Sequence, residues 1–465
     1  MAKRMLPIGI DDLACYVPKM YLDIETLAEE RGIPYAKLSK GLGLYKMALP
    51  DYHEDAATMA AEAIAELLER NQIDPRTIGR IYLGTESALD MAKPTGTYAV
   101  EMLSQRFGET YGSDCFQNCD VLDMTFACIG ATDALLNTLD WVASDPEHIG
   151  IVVASDIAKY ELHSTGEYTQ GAGAVAMLVK WHPRLMAIRT VVGVGMESVH
   201  DFFKPRRERF CETPVFDGQY SNECYQNRMV EALQDFRRKA IAKGVFKSDQ
   251  YPALSDRWER MIFHLPYAFH AKRMYVETFV SERKASGTWE ADCARYGFAE
   301  PLPDVFDKPE EFVKAKNRFL KSVSDSVLYQ RFVDRKLEKA QRASSETGNL
   351  YTASIFMALM STLSVDFQEG KNLAGRRFGF VAYGSGSKAK VFEGTIQAGW
   401  EKLAGRFGLF EKLADRVAVS YAVYEELHGA QKNQALAPDP GRWGLSHIGT
   451  EGALEGARYY SVLEG

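Results

Sequence analysis

Residues 123–142 read DMTFACIGATDALLNTLDWV, and the stretch turns over at Cys128. A short strand expected around Cys119–Asp123 leads into it. Small residues follow, and apolar side chains at helical spacing predict a helix over Ile129–Val142. A strand, a small-residue turn and an apolar helix form the unit from which parallel α/β sheets are built. A thiol in such a turn faces unpaired N–H groups and the positive end of the helix, which lower its pKa and favour the thiolate. A structural cysteine explains the residue equally well, because free cysteines are among the most buried side chains.

Outward from this stretch the alternation continues. TMAAEAIAELLER (58–70) carries apolar residues at helical spacing, IGRIYLGTES (78–87) reads as a buried strand ending in a loop, and a helix is expected near Thr97–Phe107. IGIVVASD (149–156) reads as a central parallel strand. The later chain repeats the plan. WERMIFHLPY (258–267) matches IGRIYLGTES, GNLYTASIFMALMSTL (348–363) matches CIGATDALLNTLDWV, and FGFVAYGSGS (378–387) matches IGIVVASD. These matches predict an internal duplication, with halves at residues 1–200 and 201–465 and sites at strand ends and helix starts. The interval from His264 to Asn349 is about twice that from Glu86 to Cys128. The excess falls in the charged, weakly periodic stretch 281–345, read as a helical surface insertion.

Composition narrows the class. The 465 residues carry a net charge of −8 with scattered basic residues, which argues against a nucleic-acid groove. No apolar run reaches the roughly 20 residues of a bilayer span, and Asp11 and Asp12 interrupt the N-terminus before any signal-peptide core. Seven irregularly spaced cysteines fit free thiols in a reducing compartment, so a cytoplasmic location is expected.

Three further features can carry chemistry. His264, at a strand end and fixed by Pro266, can polarise a carbonyl, although a lone histidine there is more often structural. Glu86, among small residues, can act as acid and base once burial raises its pKa, or serve merely as a loop carboxylate. The glycine-rich GEYTQGAGAVAML (166–178) and AYGSGSKA (382–389) let backbone approach a ligand closely but lack phosphate-loop or dinucleotide spacing. Cys115 and Cys119 have no matching second pair, and His148 and His182 stand without partners, so no metal is expected.

Taken in order, TES, FACIGAT, GEYTQGAGAVA, DFFKP, VFDGQYSNECY, FHLPY, GNLYT and YGSGS resemble the HMG-CoA synthase family. The likeness runs from PIGIDDLACYVPKMYL and KGLGLYKMALP to AVSYAVYEELH, nearly the whole chain outside the insertion. It implies a duplicated, five-layered αβαβα thiolase-like α/β fold, normally a homodimer. It also implies acetyl-CoA and acetoacetyl-CoA as substrates, with no cofactor besides these thioesters. By the same resemblance Cys128 takes acetyl, Glu86 removes a proton from its methyl group, and His264 polarises the acceptor ketone. Asn349 positions the thioester. Backbone N–H groups of Cys128 and of Gly384–Ser385–Gly386 meet the developing oxyanion, and Tyr160, Asp156, Asp201 and Tyr383 orient the rest.

The chain also departs from the family pattern. Phe269 stands where a lysine usually holds the CoA phosphates, with Lys272 and Arg273 as substitutes. Ile129 replaces an aromatic residue after the nucleophile, and Tyr168 replaces a proline. These changes admit a sister group that condenses carrier-protein-bound acyl chains in polyketide β-branching. A ketoacyl-carrier-protein synthase III is disfavoured by Glu86, and a non-catalytic relative by the presence of all three reactive residues.

Overall fold

Among the described residues, β-branched runs alternating with small-residue helices build a large mixed sheet of ten strands beside three small ones. The computed structural model describes residues 7–188, 191–205, 213–431 and 434–464. The sheet strands are β1 (Ile8–Tyr16), β2 (Ile78–Gly84), β3 (Asp120–Met124), β4 (Ile149–Ala158), β5 (Gly171–Trp181), β6 (Met186–Ile188), β7 (Gly193–Met196), β8 (Arg260–Phe263), β9 (Arg377–Gly384) and β10 (Lys388–Ile396). Their spatial order is β8-β9-β10-β6-β1-β5-β4-β2-β3, with β7 also paired to β10.

This order contains the duplication. In the first half β2 and β4 are parallel, β4 and β5 antiparallel, and β5 returns against β1. In the second, β8 and β9 are parallel, β9 and β10 antiparallel, and β10 returns against β6 and β7, so β6 and β7, expected in the first half, pair with the second. IGIVVASD is therefore central, as expected, but the sheet around it is mixed rather than parallel. The link from β4 to β5 holds only a 3-10 turn (Glu167–Thr169) and no crossover helix, so the next strand comes back antiparallel. GAGAVAML is β5 itself and not a turn.

Helices cover both faces. α1 (Ala56–Asn71) starts at a capping box, where Asp55 accepts from the Ala57 and Thr58 N–H groups and Thr58 Oγ1 accepts from Asp55 N. With α2 (Thr95–Tyr111) it buries Ile81, Leu83, Ile151 and Val153 on one face of the sheet. α3 (Gly130–Val142) and its second-half counterpart, which follows GNLYT, belong to the other large apolar cluster.

The 281–345 stretch is helical, but the later part is not at the surface. Helices at Val327–Lys336 and Glu338–Thr347 bury Tyr329, Phe332, Val333, Ala340 and Ala343. Lys339 is buried too, with its ammonium 2.6 Å from Asp366. Inward-facing charges that are paired there mask the apolar period on which the sequence reading relied. Among the described residues, no helix is long and apolar enough to cross a membrane. The six described cysteines are free thiols; Cys211 lies outside the described residues.

Candidate active site

Cys128 is delivered by the turn between β3 and α3. Ala127 has φ +39°, a left-handed conformation costly for a residue with a Cβ and typical of functional turns. No side chain caps α3; the Ile129 and Gly130 N–H groups at its start bond to the Phe126 and Ala127 carbonyls of the turn instead. The second half closes directly on this turn. A Cβ at Gly384 would lie 2.6 Å from the Phe126 carbonyl oxygen and 3.0 Å from Ile129 N, so only glycine fits.

The thiol is buried and shares a hydrogen bond with the Glu86 carboxyl group. Burial, then Glu86 itself, push the Cys128 pKa well above its usual value. The lowering expected from the helix N-terminus is therefore overridden, and the resting group is a thiol donating to Glu86. Burial also pushes the Glu86 carboxyl up, to about 7, with Lys204 opposing. Glu86 Oε1 has no hydrogen-bond partner among the described residues. A carboxyl group poised near neutrality with a free lone pair suits proton abstraction.

Asp156 fixes Glu86 from behind. Its Oδ1 accepts from Glu86 N at 2.7 Å, Thr85 Oγ1 at 2.9 Å and Ser87 Oγ at 3.0 Å. Its Oδ2 accepts from Thr352 N at 2.9 Å and Thr352 Oγ1 at 2.5 Å. One carboxylate thus ties the TES loop of the first half to the LYT turn of the second.

His264 emerges from the end of β8 and is fully buried. Its Nδ1 lies 2.5 Å from Ser354 Oγ, the first residue of α4 (Ser354–Gln368). Burial lowers its pKa to about 3, so the imidazole is neutral at any working pH. Asn349 Oδ1 accepts from Tyr351 N at 2.9 Å, and its side chain also hydrogen-bonds the Tyr160 hydroxyl, which leaves the NH2 to donate there. Asp201 accepts from Tyr383 Oη at 2.8 Å and Gly386 N at 2.7 Å. It holds the YGSGS loop in place, and the Gly386 N–H is thereby occupied.

These groups converge. A cavity of about 290 Å³ is walled by Cys128, Tyr160, His264, Asn349, Tyr383 and Ser385, and opens past Leu42, Tyr168, Tyr267 and Arg273. Glu86 stands on the far side of the thiol and borders a second cavity of about 530 Å³ together with Lys204. Asp156, Asp201 and Gly384 stay behind the wall as supports. Lys272 does not reach the opening: its ammonium sits 3.2 Å from the centroid of the Phe269 ring, while Arg273 lines the mouth. Phe269 turns away and packs on Gly43.

Sequence reasoning passed over several residues. Tyr225 packs with its ring tilted 42° and 4.5 Å from the Tyr383 ring, and donates to the His264 carbonyl. Lys204 donates to the Glu86 carbonyl at 3.0 Å, and Thr352 and Ser354 bind Asp156 and His264. All four lie inside or beside quoted motifs (SNECY, DFFKP, GNLYTAS), so the signal was present without the geometry to rank it. His270, directly after Phe269 and beside the FHLPY motif, was given no role by the sequence. It is buried between the Tyr225 and Tyr267 rings.

A nucleophilic thiol at a helix start, a carboxyl group beside it and a neutral imidazole from the other half define an acyl-thioester enzyme of the thiolase-like class. Family models for the N-terminal and C-terminal parts of hydroxymethylglutaryl-coenzyme A synthase match residues 4–183 and 186–437. The chain belongs to this family, whose members are acyl-CoA condensing enzymes. It is 31% identical to the hydroxymethylglutaryl-CoA synthase of Haloferax volcanii, covering 92% of this chain and 93% of that one. It is 30% identical to the Enterococcus faecalis enzyme, with 91% of each chain covered. Among solved structures, MvaS in complex with 3-hydroxy-3-methylglutaryl coenzyme A superposes with a TM-score of 0.81 at 31% identity, covering 98% of this chain and 99% of that one. The curacin-pathway HMG synthase in complex with an acetyl donor carrier protein has a TM-score of 0.75 at 20% identity, a likeness of fold.

Proposed function

We propose that this chain condenses acetyl-CoA with acetoacetyl-CoA and water to give 3-hydroxy-3-methylglutaryl-CoA and CoA, as a mevalonate-pathway enzyme of isoprenoid synthesis. The observation that carries the reading is the Cys128 thiol, hydrogen-bonded to Glu86 behind it and sharing one cavity with His264. The Cys128 thiol attacks the acetyl thioester, its proton passes to the departing CoA thiolate, and acetyl-S-enzyme forms with release of CoA. Glu86 takes a methyl proton, and the carbon nucleophile attacks C3 of the acceptor while His264 donates a hydrogen bond to the ketone oxygen. That oxygen becomes the tertiary hydroxyl, taking up the proton that Glu86 removed from the methyl group, so the carboxylate is restored. Water then hydrolyses the enzyme thioester, returning the thiol and the free carboxylate. The N–H groups of Cys128 and Ser385 suit the oxyanion, and Asn349 and Tyr160 suit the thioester. The reaction needs no cofactor beyond its thioester substrates.

A CoA-bound acceptor is supported by the exposed Arg273 at the mouth and by the likeness to an HMG-CoA complex. Phe269 in place of the usual lysine favours the second reading, a carrier-bound β-ketoacyl acceptor. Comparing acetoacetyl-CoA with acetoacetyl-carrier protein decides between them; a hundredfold preference for the carrier would overturn the first. We also propose a cytoplasmic homodimer. Strand β3 supports the dimer, being a sheet edge with Leu122 exposed, and the free thiols support the compartment. Light scattering of the purified protein tests the dimer.

A further inference from the structure

His264 can assist a ketone only through a ring nitrogen that carries a proton and faces the cavity. A neutral imidazole has one such proton, and which nitrogen holds it is set by what the other nitrogen meets. Here the other nitrogen meets Ser354. The Ser354 Oγ lies 2.5 Å from His264 Nδ1 and also accepts the Leu265 N–H at 3.2 Å. Both contacts are buried, and Ser354 Oγ makes no further hydrogen bond among the described residues. With one lone pair filled by Leu265 N–H and no other acceptor in reach, the hydroxyl proton has a single destination, Nδ1. The ring proton then sits on Nε2.

We propose that Ser354 is a positioning residue that fixes His264 as the Nε2–H tautomer, so that the imidazole enters the reaction as a donor to the acceptor's carbonyl oxygen. This rests on the reading of His264 as the group that polarises that ketone. The hydroxyl is held by two elements. Ser354 opens α4, whose preceding turn is pinned by Thr352 to Asp156, and Leu265 follows β8. The donor at the acceptor ketone is therefore registered to the same carboxylate that holds the Glu86 loop. The base that makes the carbon nucleophile and the donor that receives it share one frame, which is what aligning a bimolecular carbon–carbon bond requires.

The test separates the partial reactions. Ser354→Ala should leave acetyl transfer from labelled acetyl-CoA to Cys128 within twofold and lower the condensation kcat by about 10- to 100-fold, a fraction of a positioned acid's usual contribution. KM for acetyl-CoA should stay unchanged. Ser354→Thr, which keeps the hydroxyl, should recover most of the rate. In protein labelled with 15N-histidine, His264 should show the Nε2–H pattern in the parent chain and lose it in the Ala variant. The inference is overturned if the parent chain shows the Nδ1–H pattern, if condensation survives Ser354→Ala, or if acetylation falls as far as condensation. His264→Ala is measured alongside. If it leaves condensation intact, the role given to His264 fails; if it abolishes condensation while Ser354→Ala does not, only the present inference fails.

Discussion

The starts of α3 and α4 occupy matching places in the two halves, yet do opposite work. Each follows a residue forced to positive φ, Ala127 at +39° and Tyr351 at +42°, and neither helix is capped by a side chain. The α3 start presents the nucleophile beside a carboxyl group raised to about 7. The α4 start presents no reacting atom; Asn349, Thr352 and Ser354 there hold other groups in place. Burial drives both sites, but it raises the acid Glu86 and depresses the base His264, because in each case the neutral form is favoured. Duplication supplied two equivalent helix starts. The residues at them divided the labour into proton-moving chemistry and neutral hydrogen bonding.

Replacing Cys128 breaks the comparison most severely. Cys128→Ala should abolish acetyl-enzyme formation and lower turnover by at least ~10⁴-fold, read from labelled acetyl-CoA and product release. Glu86→Gln should still acetylate within a few-fold but lose ~10²- to 10⁴-fold in condensation; failure at acetylation would assign Glu86 a different task.

Asp156 belongs to both sides. Asp156→Ala strands buried donors from each half and should cost about 3 kcal/mol or more in denaturant unfolding, with both partial reactions impaired.

Titration offers a subtler contrast. A folded-state Glu86 pKa near 7, against the usual 4.5, means the folded chain binds the extra proton, so its contribution to stability declines as pH rises from 4.5 to 7. A folded-state His264 pKa near 3, against 6.5, means the unfolded chain binds the extra proton, so stability is lost as pH falls below 6.5. Unfolding curves of Glu86→Gln and His264→Asn should therefore change slope in opposite directions with pH. Condensation by the parent chain should rise through pH about 7 without a histidine limb.

The smallest effect should be at the mouth. Arg273→Ala should raise KM for a CoA thioester by up to about tenfold, and Lys272→Ala by less than about twofold, since an exposed charge contributes about 1 kcal/mol.

Much of this was legible in the sequence because strand ends and small-residue helix starts are local patterns. Glu86, Cys128 and His264 sit at such punctuation, and the family motifs around them fixed their number. The mixed sheet was not legible, since nothing in GAGAVAMLVKW announces the direction in which a strand returns. The buried helices of 327–347 were hidden for a related reason: Lys336 and Lys339 look like solvent residues until their inward partners are seen. The thiol's raised pKa also depends on a partner more than forty residues away, which no local rule for helix N-termini includes.

Phe269 carries a consequence of a different kind. Its ring fills the space where a Cβ on Gly43 would stand, 2.6 Å away, and Gly43 itself has φ +76°. The short helical turn bearing His270 and Arg273 is thus clamped to the Leu42–Gly43 turn, where Phe269 N also donates to the Leu42 carbonyl at 3.0 Å. Any side chain at position 43 would push that turn outward and carry the lining residues His270 and Arg273 with it. The width of the cavity mouth is set at a contact between two residues that do not line it.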